Sequence, residues 1–270
     1  MTQSKGLAGS LIETRRRGVA IVTGAERGIG LAVSTRLVQS GFKVAMASLG
    51  ERPNELPEPG SCADEQPVRY YQFDLADLSS HNRLLDRVQQ ELGEISCLVN
   101  NAGVSSLVRG DLLELSPDSF DRSVAVNLRG TFFLTQAVAR RLVVHAEAAD
   151  DLIRSIITIS SANAEIVGEN RGDYCITKSG LAMMTKLFAS RLAGDGIAVF
   201  EVRPGIIATE MTHPAADRYN QLIETGGVPM RRWGTPDDVA TAVATLARGD
   251  IPFATGIHVD IGGGLQIHRV

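Results

Sequence analysis

Tyr174 and Lys178 stand four positions apart in Tyr174-Cys175-Ile176-Thr177-Lys178. On a helix that spacing puts both side chains on one face, one turn from each other. A phenol with its ordinary pKa near 10 moves protons poorly at neutral pH, and a neighbouring ammonium favours the phenolate. The pair is therefore a candidate acid–base device for an oxygen that gains or loses a proton. Alone it is weak evidence, because most such pairs are exposed helix faces.

A second chemical feature lies near the N-terminus. Thr23-Gly24-Ala25-Glu26-Arg27-Gly28-Ile29-Gly30 follows an apolar run and opens an amphipathic one. Gly24, Gly28 and Gly30 allow a sharp turn and a close approach of backbone to a pyrophosphate, and the helix start at Gly28-Ile29-Gly30 offers N–H donors and a positive dipole end. A ligand-free strand–helix turn has a similar composition. Its place after a strand and before a helix favours dinucleotide binding. The spacing is GxxxGxG, not the commoner GxGxxG.

The elements that must hold these groups alternate. Val19–Thr23, Lys43–Ser48, Val68–Phe73, Ser96–Val99, Ser155–Ser160, Ala198–Val202 and Ile257–Val259 read as strands, several of them apolar almost throughout. Between them Ile29–Ser40, Ser79–Leu92, Pro117–His145, Tyr174–Ala193 and Pro236–Ala247 carry helical spacing. The expected class is α/β, a doubly wound Rossmann-type parallel sheet of about seven strands with helices on both faces. Residues 1–17 read as a loosely ordered lead-in and 18–270 as a single dinucleotide-binding catalytic domain. Gly50–Pro67 contains Pro53, Pro57, Pro59 and Pro67 and is predicted to be a loop, or at most one helical turn. Thr235, Pro236 and Asp238 read as N-cap, first helical residue and acid of a capping box, which gives Asp237 and Asp238 a structural role.

Composition narrows the function. Charged residues make up 21% of the chain and the net charge is −4, which gives no broad attraction for nucleic acid or an anionic membrane. No apolar stretch approaches the length of a membrane span, and Met1–Arg17 lacks the order of a signal peptide. Cys62, Cys97 and Cys175 have no CxxC spacing and suit free thiols in a reducing cytosol, so a cytoplasmic location is expected. His81, His145, His213, His258 and His268 are scattered without metal-ligand spacing, so no metal site is expected. What remains is a small-molecule site.

The TGxxxGxG turn, the Tyr174–Lys178 pair and the run Asn100-Asn101-Ala102-Gly103 together resemble the short-chain dehydrogenases/reductases, in particular their 3-oxoacyl-[acyl-carrier-protein] reductases. The resemblance runs from about Gly18 to Gly264. It implies an NAD(P)(H)-dependent carbonyl reductase or alcohol dehydrogenase, with hydride transfer between nicotinamide C4 and a ketone or secondary alcohol. Ser161, thirteen residues before Tyr174, matches the family's carbonyl-binding serine, with Ser160 as the fallback. Asn127 matches the helix asparagine that holds a water in the proton path, and Lys178 would also grip the nicotinamide ribose. Asn101, Ala102 and Gly103 would lie beside the cofactor. Asp74, with Leu75 after it, matches the contact to the adenine amino group, and Pro204-Gly205-Ile206-Ile207 with Thr209 matches the segment that holds the carboxamide.

Cofactor choice is a matter of charge. NAD-preferring members place an acid at the end of the second strand, where this chain has Ser48, which cannot repel a 2′-phosphate. Arg27 occupies a place where NADP-dependent relatives carry a basic phosphate contact, although it also suits a solvated turn, and Arg52 is a second candidate beside Glu51. NADP(H) is favoured, with NAD(H) kept open. Carrier-protein reductases meet their acidic partner with basic residues near the site mouth. The aligned positions here are Leu152 and Asp195, with Asp150 and Asp151 adjacent, which favours a small diffusible carbonyl over a carrier-borne one. Glu210–Met230, with Met211, His213, Tyr219, Leu222 and Ile223, is expected to form a mobile lid. A non-catalytic dinucleotide sensor would typically lack the tyrosine or lysine, and an epimerase would show TGxxGxxG and a longer C-terminal domain. The resemblance also implies a homotetramer or homodimer through the helices Pro117–His145 and Tyr174–Ala193, whose Leu134, Val138, Met184 and Phe188 suit either an outer face or ordinary core.

Overall fold

A computed structural model describes residues 16–58, 67–146 and 151–268. Seven strands form one all-parallel sheet: β1 (Val19–Thr23), β2 (Lys43–Ser48), β3 (Val68–Gln72), β4 (Ile95–Asn100), β5 (Ser155–Ile159), β6 (Ala198–Pro204) and β7 (His258–Ile261). Their spatial order is β3-β2-β1-β4-β5-β6-β7. The chain winds outward from β1 to β3, then returns to lay β4 against the other side of β1. That reversal opens a crevice beyond the carboxyl ends of β1 and β4, where open parallel sheets bind ligands.

The inner strands are apolar almost throughout because both faces are covered, while the edge strands β3 and β7 carry Arg69, Gln72, His258 and Asp260. In β1, Ala20 and Val22 point into one core and Val19 and Ile21 into the other; β4 and β5 divide in the same way. Helices α1 (Gly28–Gln39) and, at the end of the chain, Pro236–Ala247 cover the first face through Val33, Leu37, Val239 and Val243. The second face is covered by α2 (His81–Leu92) and by a long run from Pro117 to Ala146. That run is α3 (Pro117–Ser123), a π-helical segment (Val124–Gly130) and α4 (Thr131–Ala146), so the single expected helix contains a wide turn at Asn127. Such insertions re-aim side chains at functional sites, and hydrophobic periodicity does not reveal them. Next comes α5 (Gly172–Leu192), which starts two residues before Tyr174.

The segment expected as a lid contains α6 (Ala216–Glu224), a helix not anticipated although Tyr219, Leu222 and Ile223 are helically spaced. Ile223 packs with Ile206 and Val228 in a small cluster of its own, flanked by Tyr219, Trp233 and Leu265. The final helix, α7 (Pro236–Ala247), opens with the expected capping box: Thr235 Oγ1 accepts from Asp238 N at 3.2 Å, and Asp238 Oδ2 accepts from Thr235 N at 2.7 Å. Arg232 also bonds Asp238 and is the main reason its carboxyl is held far below the usual range.

Two expectations are refined. Residues 50–58 carry no helix or strand, as the prolines require, while 59–66, with Cys62, lie outside the described residues, as do 1–15 of the lead-in. Leu134, Val138 and Met184 are buried within the subunit, and Phe188 packs against the second core, so these four are core and not an outer face. The exposed large apolar residues of the two long helical runs are Phe120, Phe133, Val144, Ile176, Met183 and Leu187 instead.

Candidate active site

The glycine turn is built by contacts from β4. Thr23 Oγ1 accepts from the backbone N–H groups of Asn101 and Ala102, both at 3.0 Å. The Asn101 amide donates to the carbonyls of Thr23 and Gly24, each at 2.9 Å. Gly24 and Gly28 adopt the left-handed region, with φ of +63° and +53°. A Cβ on Gly30 would collide with the Gly24 carbonyl oxygen and the Asn101 amide. No side chain caps α1 and no acid sits in its first turn. Its leading N–H groups and positive dipole end therefore face the crevice unopposed, which fits a dinucleotide pyrophosphate.

A cavity of about 630 Å³ runs from this turn to Tyr174. Gly24, Arg27, Gly28, Ile29 and Gly30 line it at one end, and Asn101, Ala102 and Gly103 at its middle. Ser161, Tyr174 and Lys178 line the reacting end, with Pro204, Gly205, Ile207 and Thr209 opposite. Gly205 lies close against Gly262, where a Cβ would press on the Gly262 backbone. Thr209 sits over Gly28 and is held by Thr212, which accepts from Thr209 N at 3.0 Å. Ser48, Asp74 and Leu75 stand at the carboxyl ends of β2 and β3, beyond this lining. Asp74 Oδ1 accepts from Ala76 N at 2.9 Å, and Leu75 is buried with its carbonyl 2.9 Å from His81 Nε2.

At the reacting end, Ser161 and Tyr174 line the cavity side by side, near enough for the serine hydroxyl to favour the phenolate. Its neighbour Ser160 is turned away and donates to buried Glu201, so the fallback serine does not reach the tyrosine. Lys178 Nζ donates to the Ile159 carbonyl at 3.1 Å and lies 5.4 Å from the centre of the Tyr174 ring. Burial lowers the Lys178 pKa to about 8, with Glu201 pulling the other way. Burial raises the Tyr174 pKa, opposed by Ser161 and Arg171. The expected ammonium-driven lowering of the phenol is thus overturned. Lys178 is spent on a carbonyl beneath the ring, and desolvation outweighs the groups that pull the phenol down.

Asn127 occupies the π-helical segment and is fully buried. Both its amide hydrogens are used, on Val104 O at 2.9 Å and Thr177 Oγ1 at 3.1 Å, while Oδ1 accepts from Val104 N at 2.7 Å. Its side chain therefore pins the loop after β4 to α5. Any water it held would have to use the remaining lone pair of Oδ1, which faces Gly103, as Lys178 Nζ does.

Three functional groups escape sequence reasoning. Asp173, fully buried, accepts from Ser119 Oγ at 2.7 Å, Ser123 Oγ at 2.9 Å, Ser106 Oγ and Tyr174 N at 2.7 Å. Burial works to raise its pKa, and these donors together bring it below the usual value. The carboxylate fastens the first turn of α5, and hence Tyr174, to α3 and the loop before it. Asp173→Ala strips one charged acceptor from four donors and is expected to lower stability by about 2–4 kcal/mol, read as a fall of several degrees in the thermal midpoint. Turnover should fall with it, and Asp173→Asn should restore part of both. Melting and turnover like the parent's would remove the anchoring role. Glu201 is the second group, buried beside Lys178 and held by Arg203 at 2.8 and 3.1 Å. A charge inside the apolar run Ala198–Val202, with Arg203 two residues on, was the available signal. Glu26 is the third, with its carboxylate on Ser48.

The electrostatic case against a carrier-borne substrate loses its geometry. Leu152 precedes β5 and Asp195 precedes β6, so both lie at the amino ends of parallel strands, on the opposite edge of the sheet from Ser161. Leu152 is buried, Asp195 pairs with Arg191 at 2.7 Å, and Asp150 lies outside the described residues. Within the subunit these positions do not frame the mouth. Beside the cavity stands Arg122, which donates to Ser105 O at 3.2 Å.

The doubly wound sheet, the uncapped glycine turn and the Ser–Tyr–Lys cluster define a dinucleotide-dependent oxidoreductase. A family model described as enoyl-(acyl carrier protein) reductase matches residues 24–266. Human (3R)-3-hydroxyacyl-CoA dehydrogenase is 36% identical over 269 residues, 96% of this chain and 99% of its own length. D-threitol dehydrogenase of Mycolicibacterium smegmatis is 31% identical over 272 residues, 99% of this chain and 100% of its own. The crystal structure of 3-oxoacyl-[acyl-carrier protein] reductase from Brucella melitensis in complex with NAD superposes with a TM-score of 0.83 at 43% identity, covering 95% of this chain and all of that one. The chain belongs to the short-chain dehydrogenase/reductase family. It is an oxidoreductase acting between hydroxyl and keto groups with a nicotinamide dinucleotide. No helix among the described residues is long and apolar enough to cross a membrane.

Proposed function

We propose that the protein is a carbonyl reductase or secondary-alcohol dehydrogenase in which Tyr174 is the general acid and base. The carrying observation is that Ser161, Tyr174 and Lys178 line one end of the cavity that begins at the glycine turn. When bound, the dinucleotide supplies or accepts hydride at nicotinamide C4. Ser161 and Tyr174 hold the substrate oxygen, and Tyr174 donates its proton as negative charge grows there. Lys178 holds the nicotinamide ribose, while Asn127 keeps the 103–104 loop in register with α5 and serves proton resupply. Gly24, Arg27, Gly28, Ile29 and Gly30 would cradle the pyrophosphate end, with Asn101, Ala102 and Gly103 alongside. Pro204, Gly205, Ile207 and Thr209 would take the carboxamide, and Ser48, Asp74 and Leu75 the adenosine.

The substrate is a small diffusible ketone or its alcohol. Val104, Ser105, Leu107 and Met211 make a wall of mixed polarity at the reacting end, suited to a compact carbonyl. Arg122 beside the cavity favours a second reading, a 3-oxoacyl thioester whose anionic arm reaches that guanidinium. A panel of ketones, alcohols, acetoacetyl-CoA and acetoacetyl-carrier protein, run with each dinucleotide, separates them. Free ketones or alcohols are expected to give the higher kcat/KM. Turnover of the carrier-bound thioester far above the free one would establish the second reading. The exposed Phe133, Met183 and Leu187 support assembly through the two long helices into a homotetramer or homodimer. The buried thiol of Cys97 suits a cytoplasmic setting.

A further inference from the structure

At the end of the cavity remote from Tyr174, a carboxylate reaches the spot where dinucleotide-binding folds read the adenosine ribose. Glu26 belongs to the glycine turn, and its side chain crosses to the carboxyl end of β2. There Ser48 Oγ donates to Glu26 Oε2, and Glu26 Oε1 and Cγ lie 3.5 Å from where a Cβ on Gly50 would stand. Tyr70 donates to the Gly50 carbonyl and closes the floor beneath. The Glu26 side chain is 22% exposed and lines the cavity.

In folds of this type an acid at the end of the second strand bonds the ribose 2′-hydroxyl and repels a 2′-phosphate. Ser48 leaves that strand position without a charge. We infer that Glu26, reaching the same place from the glycine turn, makes this protein select NAD(H) over NADP(H). The two residues that favoured NADP(H) in the sequence are both engaged. Ser48 is bonded to the carboxylate, and Arg27 donates to Glu210 at 2.9 Å while its Nε lies 3.9 Å from Glu26 Oε1. The Arg27–Glu210 pair is exposed and weak, so the selectivity rests on Glu26. Together Glu26, Arg27 and Glu210 carry one net negative charge where a 2′-phosphate would add more. A 2′-hydroxyl meets an acceptor there instead. Arg52, the further cation on the loop after β2, is exposed.

The inference rests on a dinucleotide lying across the glycine turn with its adenosine toward β2. Calorimetric titration of the full chain with NADH and with NADPH tests it without reference to turnover. NADH is expected to bind at least about tenfold tighter, the worth of one hydrogen bond to a charged group. Glu26→Gln and Glu26→Ser should each tighten NADPH about tenfold and narrow the ratio. Equal or tighter binding of NADPH by the parent protein would overturn the inference, as would a ratio unchanged in both variants. Binding of neither dinucleotide would overturn the cofactor reading itself.

Discussion

Tyr174→Phe is expected to lower kcat by about 10²- to 10⁴-fold, the usual contribution of a placed general acid or base, while dinucleotide affinity changes little. The phenylalanine ring fills the same half-buried place above Lys178, so the cavity keeps its walls. What disappears is the hydroxyl beside Ser161 and the proton it carries. Burial holds that proton on the tyrosine of the dinucleotide-free protein, so the neutral phenol is the form that meets a ketone. The reduction direction should therefore remain active toward neutral pH. The oxidation direction should gain as pH rises, because it needs the phenolate. Steady-state kinetics in both directions, with calorimetric binding of the dinucleotide, check this. Turnover within threefold of the parent would remove Tyr174 from the chemistry.

Lys178→Met is the second large effect, and its two consequences have opposite sign. Activity should fall at least about 10²-fold, as for loss of a group in the proton path. The dinucleotide-free protein should become more stable at pH 7. Lys178 is 4% exposed, and burial brings its pKa from the ordinary 10.5 to about 8. Between those values the unfolded chain holds the proton that the folded chain has lost, so stability rises with pH across that window. The contribution is complete above 10.5 and is lost as pH falls through about 8. At pH 7 the buried ammonium costs about 3 kcal/mol, which methionine of similar shape avoids. Arg203 keeps Glu201 paired after the change. Thermal melts at several values between pH 7 and 9.5 should show a stabilised variant whose advantage shrinks toward the alkaline end. A variant less stable than the parent at pH 7, or a gap independent of pH, would refute this account of the site.

Much of the site can be read along the chain. The seven strands fall within about three residues of their expected bounds, the inner ones because a strand covered on both faces is a nearly unbroken apolar run. The capping box at Thr235 is equally local. Where reading failed, the cause lies in distance along the chain. The wide turn at Asn127 depends on the Val104 backbone that its side chain holds. The serines that satisfy Asp173 stand 50 to 67 residues away in sequence, so no window of the chain contains the cluster. Alignment along the chain puts Leu152 and Asp195 at the site mouth, whereas the direction of the parallel strands places them at the far edge of the sheet.

The amino-acid sequence by itself determined the parallel sheet, the glycine turn and the placing of Tyr174 over Lys178. Each depends on short-range geometry: the period of apolar residues, the freedom of glycine at positive φ, the i, i+4 stacking on a helix. The tertiary structure alone decided that Ser161 and not Ser160 stands beside the tyrosine, that burial and not the lysine controls the phenol, and that the Glu26 carboxylate reaches Ser48 at the end of β2. Those outcomes turn on desolvation and on partners tens of residues apart, which exist only once the strands are side by side.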